Sequence, residues 1–421
     1  MNDNLLQPVG DIASLQNADR RRRIALVFHG FAGGGLERSI LQLAEGLMER
    51  GFAVDIVVGG TTGVLLREVP PNARIVELQK AHPWRAVAYG LLSEASAWRM
   101  LAPLELRPLK RLFRRLPSLT DYFRNVRPDA IFAADPNYNS LSVYARHLAR
   151  LRATVVASEH NQPSAQAAFK GPWREHRLHP VLRRAYLKAD AIVAVSDGVA
   201  ADLASFANIP RQRITTIYNP VVGPDLATKA CEPLDHPWLA AGEPPVILGV
   251  GRLDPQKDFP TLIRAFARVR AQRPARLIVL GAEGHERHSK YVAELKALPA
   301  RLGIADDVDL PGFRHNPFAF MSRAAVFVLS SIYEGLGNVL IEALACGTPV
   351  VSTDCPSGPA EILEGGRFGA LVPVGDDAAM AAAIAATLDR PPAAATLRER
   401  ARMFSVERAV DRYLDLMFEE R

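Results

Sequence analysis

The chain has 421 residues, of which 48% are hydrophobic and 23% charged, with a formal net charge of +6; that is enough apolar material for two domains of ordinary size, each with its own core. Its three cysteines, Cys231, Cys346 and Cys355, form an odd set without metal-ligand spacing, which argues against a disulfide framework or a zinc module and predicts reduced thiols in a reducing compartment. No segment approaches the ~20 apolar residues of a membrane span. Residues 1–20 are polar and lack a signal peptide's apolar core, so a disordered tail on a cytoplasmic protein is expected.

In chain order, Ile24–Phe28 reads as a buried strand. His29-Gly30 and the run Gly33-Gly34-Gly35 break it before an amphipathic helix carrying Ile40, Leu41, Leu43, Ala44 and Leu47. The spacing is not the Gly-x-Gly-x-x-Gly of a dinucleotide site, which disfavours a nicotinamide cofactor. Two readings of these glycines stand side by side: a tight turn needing positive φ, or backbone N–H groups approaching a ligand. Between Ala81 and Pro128, nine basic residues face three acidic ones, with Trp84, Trp98, Leu101 and Leu104 interleaved. Lys170, Trp173, Arg174, Arg177, Arg183, Arg184 and Lys188 repeat the pattern, and charge divides as +10 over residues 1–220 against −4 over 221–421. This fits an interfacial surface on an anionic leaflet; ordinary solvated helix faces are the alternative. No nucleic-acid recognition motif accompanies the charge.

The strand Ala130–Ala133 ends at Asp135, read as a structural turn with Pro136-Asn137. Thr154–Ala157 is a second strand, ending in Ser158-Glu159-His160-Asn161, where His160 is either a hydrogen-bonded loop residue or a functional one. Ile192–Val195 and Ile214–Ile217 read as further strands. Val246–Val250 runs into Gly251, then Arg252 and Lys257, then a helix with Leu262, Ile263, Phe266 and Val269 facing inward. That order puts both cations above the carboxyl end of a parallel sheet, where open α/β sheets bind ligands. Arg forks two phosphate oxygens and Lys adds a point charge, so the pair suits a diphosphate; cations in a loop can equally be solvated.

Asp307 and Asp309 mimic a metal-binding Asp-x-Asp but precede a strand and are read as capping or solubilising it, and His285-x-x-His288 lacks a third ligand. In Ser331–Pro349, Glu334 and Glu342 stand eight residues apart across a glycine turn that opens a helix ending in Gly347-x-Pro349. Such a helix start offers unpaired N–H groups and a positive dipole end to a phosphate. With both Glu on or near the helix, the span is roughly 12 Å; the alternative is a solvated helix. There is no nucleophile elbow and no phosphate-binding Gly-x4-Gly-Lys-Ser/Thr. Chemistry without either points to positioning and charge neutralisation.

Together, Gly249–Lys257, Leu310–Pro317, Ser331–Pro349 and Cys355–Val372 resemble the retaining glycosyltransferases of family 4, with their Glu-x7-Glu signature, and the branch containing bacterial cell-surface polysaccharide enzymes. The resemblance implies an α/β chain of two doubly wound Rossmann-like domains facing across a cleft, the GT-B arrangement. An acceptor-side domain would span 21–222 and a nucleotide-sugar domain 235–403, with residues 404–421 returning to the first as a helix; the likeness is weak over 60–128. The implied reaction is transfer of a hexosyl group from a nucleotide sugar, UDP-linked by expectation, to a hydroxyl of a lipid-linked or surface glycan with retention.

In that family, Arg252 and Lys257 would hold the diphosphate, Glu342 the ribose, and Glu334 with His160 the hexose. Gly34, Gly35, Gly251, Gly335, Leu336, Gly337, Asn338 and Val339 would line the donor through their backbone, and the loop of Arg314 would meet the base. No metal and no cofactor beyond the sugar nucleotide are implied. Expected partners are the donor, a glycan acceptor and the anionic inner face of a membrane, with no nucleic acid. A sugar-nucleotide epimerase, a glycoside phosphorylase and a non-catalytic sugar-nucleotide sensor are the alternatives; the intact Arg, Lys and Glu pair argues against the sensor.

Overall fold

The structure, a computed structural model, describes residues 21–93, 113–170, 183–283 and 288–419. The expected tail over 1–20, the basic stretch from Trp98 to Leu112, the residues Trp173, Arg174 and Arg177, and His285 lie outside the described residues.

Apolar runs buried on both faces are the mark of parallel strands covered by helices, and two such sheets form. The first contains β1 (Arg23–Phe28), β2 (Ala53–Val58), β3 (Arg74–Glu77), β4 (Ala130–Ala134), β5 (Thr154–Glu159), β6 (Ala191–Ala194) and β7 (Ile214–Thr216). Their order is β3-β2-β1-β4-β5-β6-β7, parallel throughout, with Ile24 in register with Val54 and Ala130. The second contains β8 (Val246–Val250), β9 (Arg276–Leu280), β10 (Val308–Gly312), β11 (Val326–Leu329), β12 (Val350–Thr353) and β13 (Ala370–Val372), in the order β10-β9-β8-β11-β12-β13. It too is parallel, and Ile247, Leu262, Phe266, Leu277 and Val328 join its buried core. Both are doubly wound: strand order reverses beside the first strand, at β1/β4 and at β8/β11, and crevices open there at the carboxyl ends. The expected architecture of two Rossmann-like sheets is the observed one.

The chain separates into two compact units, Met1–Val195 with Val199–Tyr218 and Ala409–Arg421, and Ser196–Gly198 with Asn219–Arg408. The terminal helix Val406–Phe418 therefore changes unit at Ala409. In the first unit its Phe418 stacks on Phe52 at 5.3 Å, Tyr413 meets Phe132 edge-on at 5.2 Å, and Asp411 pairs with Arg50.

One buried charge ties β1, β2 and β3 of the first sheet together. Asp55 is fully buried; Arg23 donates to it at 2.7 Å, Tyr122 at 2.6 Å, and Arg74 through two nitrogens. Removing the carboxylate leaves two half-buried guanidinium groups facing each other without it. Asp55→Ala should lower the unfolding free energy by about 3 kcal/mol, read as a lower urea midpoint with an unchanged slope.

Candidate active site

In the second unit the crevice between β8 and β11 gathers most of the expected residues. After β8 the chain turns at Gly251 into a short 3-10 turn, Pro255–Lys257, capped by Asp254, before the helix Phe259–Arg270. A Cβ on Gly251 would come within 3.2–3.3 Å of the Lys257 stem, so the glycine lets the lysine lie across the strand end. After β11 comes Ser330–Gly337. The two loops are stitched together: Ser330 Oγ donates to the Lys257 carbonyl at 2.6 Å, Ile332 N–H to the Gln256 carbonyl at 2.8 Å, and Gln256 Nε2 to the Tyr333 carbonyl at 2.9 Å.

This stitching brings together Lys257 and Glu334, 77 residues apart, with Nζ 2.6 Å from Oε1. Ser331 Oγ donates to the same carboxylate oxygen at 2.6 Å. Both side chains are largely out of water, at 15% and 9% exposed. Arg252, by contrast, is exposed. Glu334 precedes the helix Asn338–Cys346 rather than lying on it. The helical rise therefore applies to only part of the Glu-x7-Glu span, and the roughly 12 Å of the sequence reading is no measure of it. Glu342 sits in the second turn and is 4% exposed, which removes the reading of a solvated helix.

Gly337 enters that helix at φ +95°, a conformation that a side chain would strain. Its turn aligns the backbone of Gly335, Leu336, Gly337, Asn338 and Val339 at the N-terminal end, where N–H groups have no partner within the helix. Arg314 is exposed beyond β10, its guanidinium donating to the Phe313 carbonyl at 3.3 Å. Asp307 is taken up by Arg270 and Arg276 and Asp309 by His236, so the two carboxylates of the Asp-x-Asp have separate partners. His288 lies 3.4 Å from Asp254.

In the first unit the crevice at β1/β4 holds the glycine loop and Asp135. The turn reading of these glycines holds at one position, and another glycine is required by space. Gly33 requires positive φ, at +100°, whereas Gly34 has an ordinary β conformation and is needed for space: a Cβ there would meet a Glu37 carboxylate oxygen at 2.6 Å. Glu37, 4% exposed, in turn pairs with His29 at 3.0 Å. Asp135 caps the helix Pro136–Ala149 by accepting from Asn137 N–H at 2.8 Å, as its reading as a turn residue expects.

His160, 8% exposed at the end of β5, is within 2.9 Å of Ser158 Oγ through Nε2 and rests edge-on against Phe132. Beneath it lies a buried set that the sequence did not disclose. Tyr186 donates to Glu159 at 2.6 Å, and Asn139 bridges the Tyr186 hydroxyl and the Ser158 carbonyl. Only the odd placement of a Glu at the end of an apolar strand could have signalled it. Burial is the largest cause pushing the Glu159 carboxyl up, from 4.5 to about 8.

The fold is that of the GT-B glycosyltransferases, and the family models agree with it. Residues 33–222 match the model of Glycosyltransferase Family 4 and residues 244–390 that of Glycosyl transferases group 1. The chain is 31% identical, over 85% of its length and 88% of the relative's, to the N-acetylgalactosamine-N,N'-diacetylbacillosaminyl-diphospho-undecaprenol 4-alpha-N-acetylgalactosaminyltransferase of Campylobacter jejuni. It is 28% identical, over 93% and 97%, to the lipopolysaccharide core biosynthesis glycosyltransferase LpsE of Rhizobium meliloti. Among solved structures it is similar in fold to Anabaena HepE in complex with UDP and glucose, with a TM-score of 0.69, 20% identity, and 94% and 99% of the two chains covered. The chain belongs to glycosyltransferase family 4, and it is an enzyme, a hexosyltransferase.

The Glu159 site makes a prediction about pH. A carboxyl that keeps its proton to about 8 when folded but loses it near 4.5 when unfolded contributes stability that is full below pH 4.5 and lost as pH rises to about 8. Melting temperatures from pH 5 to 8 should therefore fall less steeply in Glu159→Gln than in the wild type. Parallel curves would mean that Glu159 is ionised in the folded protein.

Proposed function

We propose that this glycosyltransferase moves a hexosyl residue from a UDP-linked sugar to a hydroxyl of a lipid-linked glycan in polysaccharide or lipopolysaccharide assembly, with retention at the anomeric carbon. The observation that carries the reading is the meeting of Lys257 and Glu334 beside the N-terminus of the helix that bears the buried Glu342. A cation, a row of N–H groups and two carboxylates within one unit suit a diphosphate flanked by hydroxyl-bearing rings.

In the proposed step the bond from the anomeric carbon to the phosphate oxygen breaks, and its electron pair leaves on the diphosphate. The acceptor oxygen bonds the same carbon from the same face, and its proton passes to a leaving phosphate oxygen. Arg252 and Lys257 neutralise the departing charge. Glu342 takes the ribose hydroxyls and Glu334 the hexose. His160, with the hexose, and Gly34 and Gly35, with the diphosphate, are assigned on the family resemblance. The UDP of the HepE complex supports the donor class, and the diphospho-undecaprenol in the Campylobacter relative's name supports a lipid-linked acceptor.

Product release measured across UDP-, GDP- and ADP-hexoses tests the donor. Arg252→Ala and Lys257→Ala should each lower turnover by roughly 10²-fold in a chain that still folds. Activity should also survive EDTA, because the two cations do the work of a metal. Near-wild-type turnover in both variants, or loss to EDTA with rescue by Mg²⁺ or Mn²⁺, would overturn the assignment.

We further propose that the acceptor is met at an anionic membrane surface. No helix among the described residues is long and apolar enough to cross a membrane. The helix Pro83–Ser93, however, exposes Trp84 at 65%, Val87 at 37% and Leu92 at 71%, all within one face at ~100° per residue, beside the exposed Arg85. An apolar face with a tryptophan in a half of the chain carrying +10 fits an interfacial helix. The protein should co-sediment with anionic vesicles at low salt and be released as salt shortens the Debye length below about 8 Å. Equal binding to neutral vesicles, or none to either, would make a soluble acceptor the better reading.

A further inference from the structure

The Lys257–Glu334 contact has a consequence for the end of the catalytic cycle. This inference rests on the reading above, in which Lys257 is the cation of the diphosphate and Glu334 the partner of the hexose. Glu334 is 7% exposed, and two donors already converge on its Oε1, the Lys257 ammonium and the Ser331 hydroxyl, each at 2.6 Å. Ser331 is fully buried, and its carbonyl accepts from Thr353 Oγ1 at 2.7 Å. The Glu334 N–H is tied to the Pro356 carbonyl at 3.2 Å. The carboxylate is therefore held where it is while the four-carbon lysine stem can swing. A diphosphate that draws on Lys257 takes positive charge away from a nearly buried carboxylate and adds negative charge beside it, a costly arrangement at low local dielectric.

With the intact donor, hexose hydroxyls supply Glu334 with hydrogen bonds that offset this loss. Once the hexose has moved to the acceptor, that compensation is gone, and diphosphate and carboxylate compete for one ammonium.

We propose that Glu334 expels the spent nucleoside diphosphate by recapturing Lys257 after transfer, so that the same carboxylate favours the intact donor and disfavours the product. The device distinguishes donor from product through the one lysine that the diphosphate and the carboxylate share. It also gives Glu334 an effect on product affinity opposite in sign to that of an ordinary binding residue.

The test is a double-mutant cycle on the full chain, with affinities for the free nucleoside diphosphate and its hexose conjugate measured by calorimetry. The probes are UDP and the UDP-hexose turned over in the donor panel, or the GDP or ADP pair if the panel selects it. Glu334→Gln, close to isosteric, should bind the free diphosphate roughly tenfold more tightly and the nucleotide sugar more weakly. Glu334→Ala provides the same reading if the glutamine variant does not fold. In a Lys257→Met background the gain for the free diphosphate should vanish, because the gain works through the lysine.

A Glu334→Gln variant that binds the free diphosphate no more tightly than wild type overturns the inference. So does a gain that persists in the Lys257→Met background, since that is plain charge repulsion. If Lys257→Met by itself binds the diphosphate as well as wild type, the assignment of Lys257 fails first, and the inference with it.

Discussion

Every strand in both sheets runs parallel to its neighbours, and this constraint governs where chemistry can occur. A parallel strand cannot return through a tight turn and needs a crossover, here with a helix after most strands. All carboxyl ends therefore lie on one edge of each sheet. Where the strand order reverses, at β1/β4 and β8/β11, the crossovers diverge to opposite faces and leave a crevice. The glycine loop and Asp135 stand at the first crevice, and Arg252, Lys257 and Glu334 at the second. The residues differ in chemistry and in sequence distance but share that address.

The buried charges divide by what surrounds them. Asp55 is satisfied by two guanidinium groups and a tyrosine on secondary structure that does not need to move; it is a structural bond. Glu159 has a tyrosine hydroxyl and backbone N–H groups beside it, but burial outweighs them and pushes its carboxyl up. Lys257 and Glu334 form a pair with a single lysine stem on one side and a carboxylate pinned by Ser331 on the other. Of the three, only this pair combines a fixed partner with a mobile one, the condition for exchange with a ligand.

Glycine plays two separate physical parts in the same loops. At Gly33 and Gly337 the backbone has positive φ, so the residue is needed for the turn. At Gly34 and Gly251 the absence of Cβ makes room for the Glu37 carboxylate and the Lys257 stem. A glycine-rich motif read as one feature is thus two, and a substitution would strain the turn at one pair and displace a charged side chain at the other.

Local patterns determined much of this protein. Apolar runs bounded by glycine and polar clusters were sufficient to place β1, β4, β5, β6 and β7 of the first sheet and β8 of the second, because a strand covered on both faces leaves a continuous apolar signature. The position of Arg252, Lys257, Glu334 and Glu342 at strand ends and a helix start followed from the same punctuation. Tertiary structure decided the rest. The burial of Glu342, the capture of Asp307 by two arginines, the Asn139–Tyr186–Glu159 set under His160 and the 2.6 Å contact of Lys257 with Glu334 all depend on which strands become neighbours. Strand order is fixed by long-range packing, and periodicity along the chain records which face of a residue is covered, not which residue covers it.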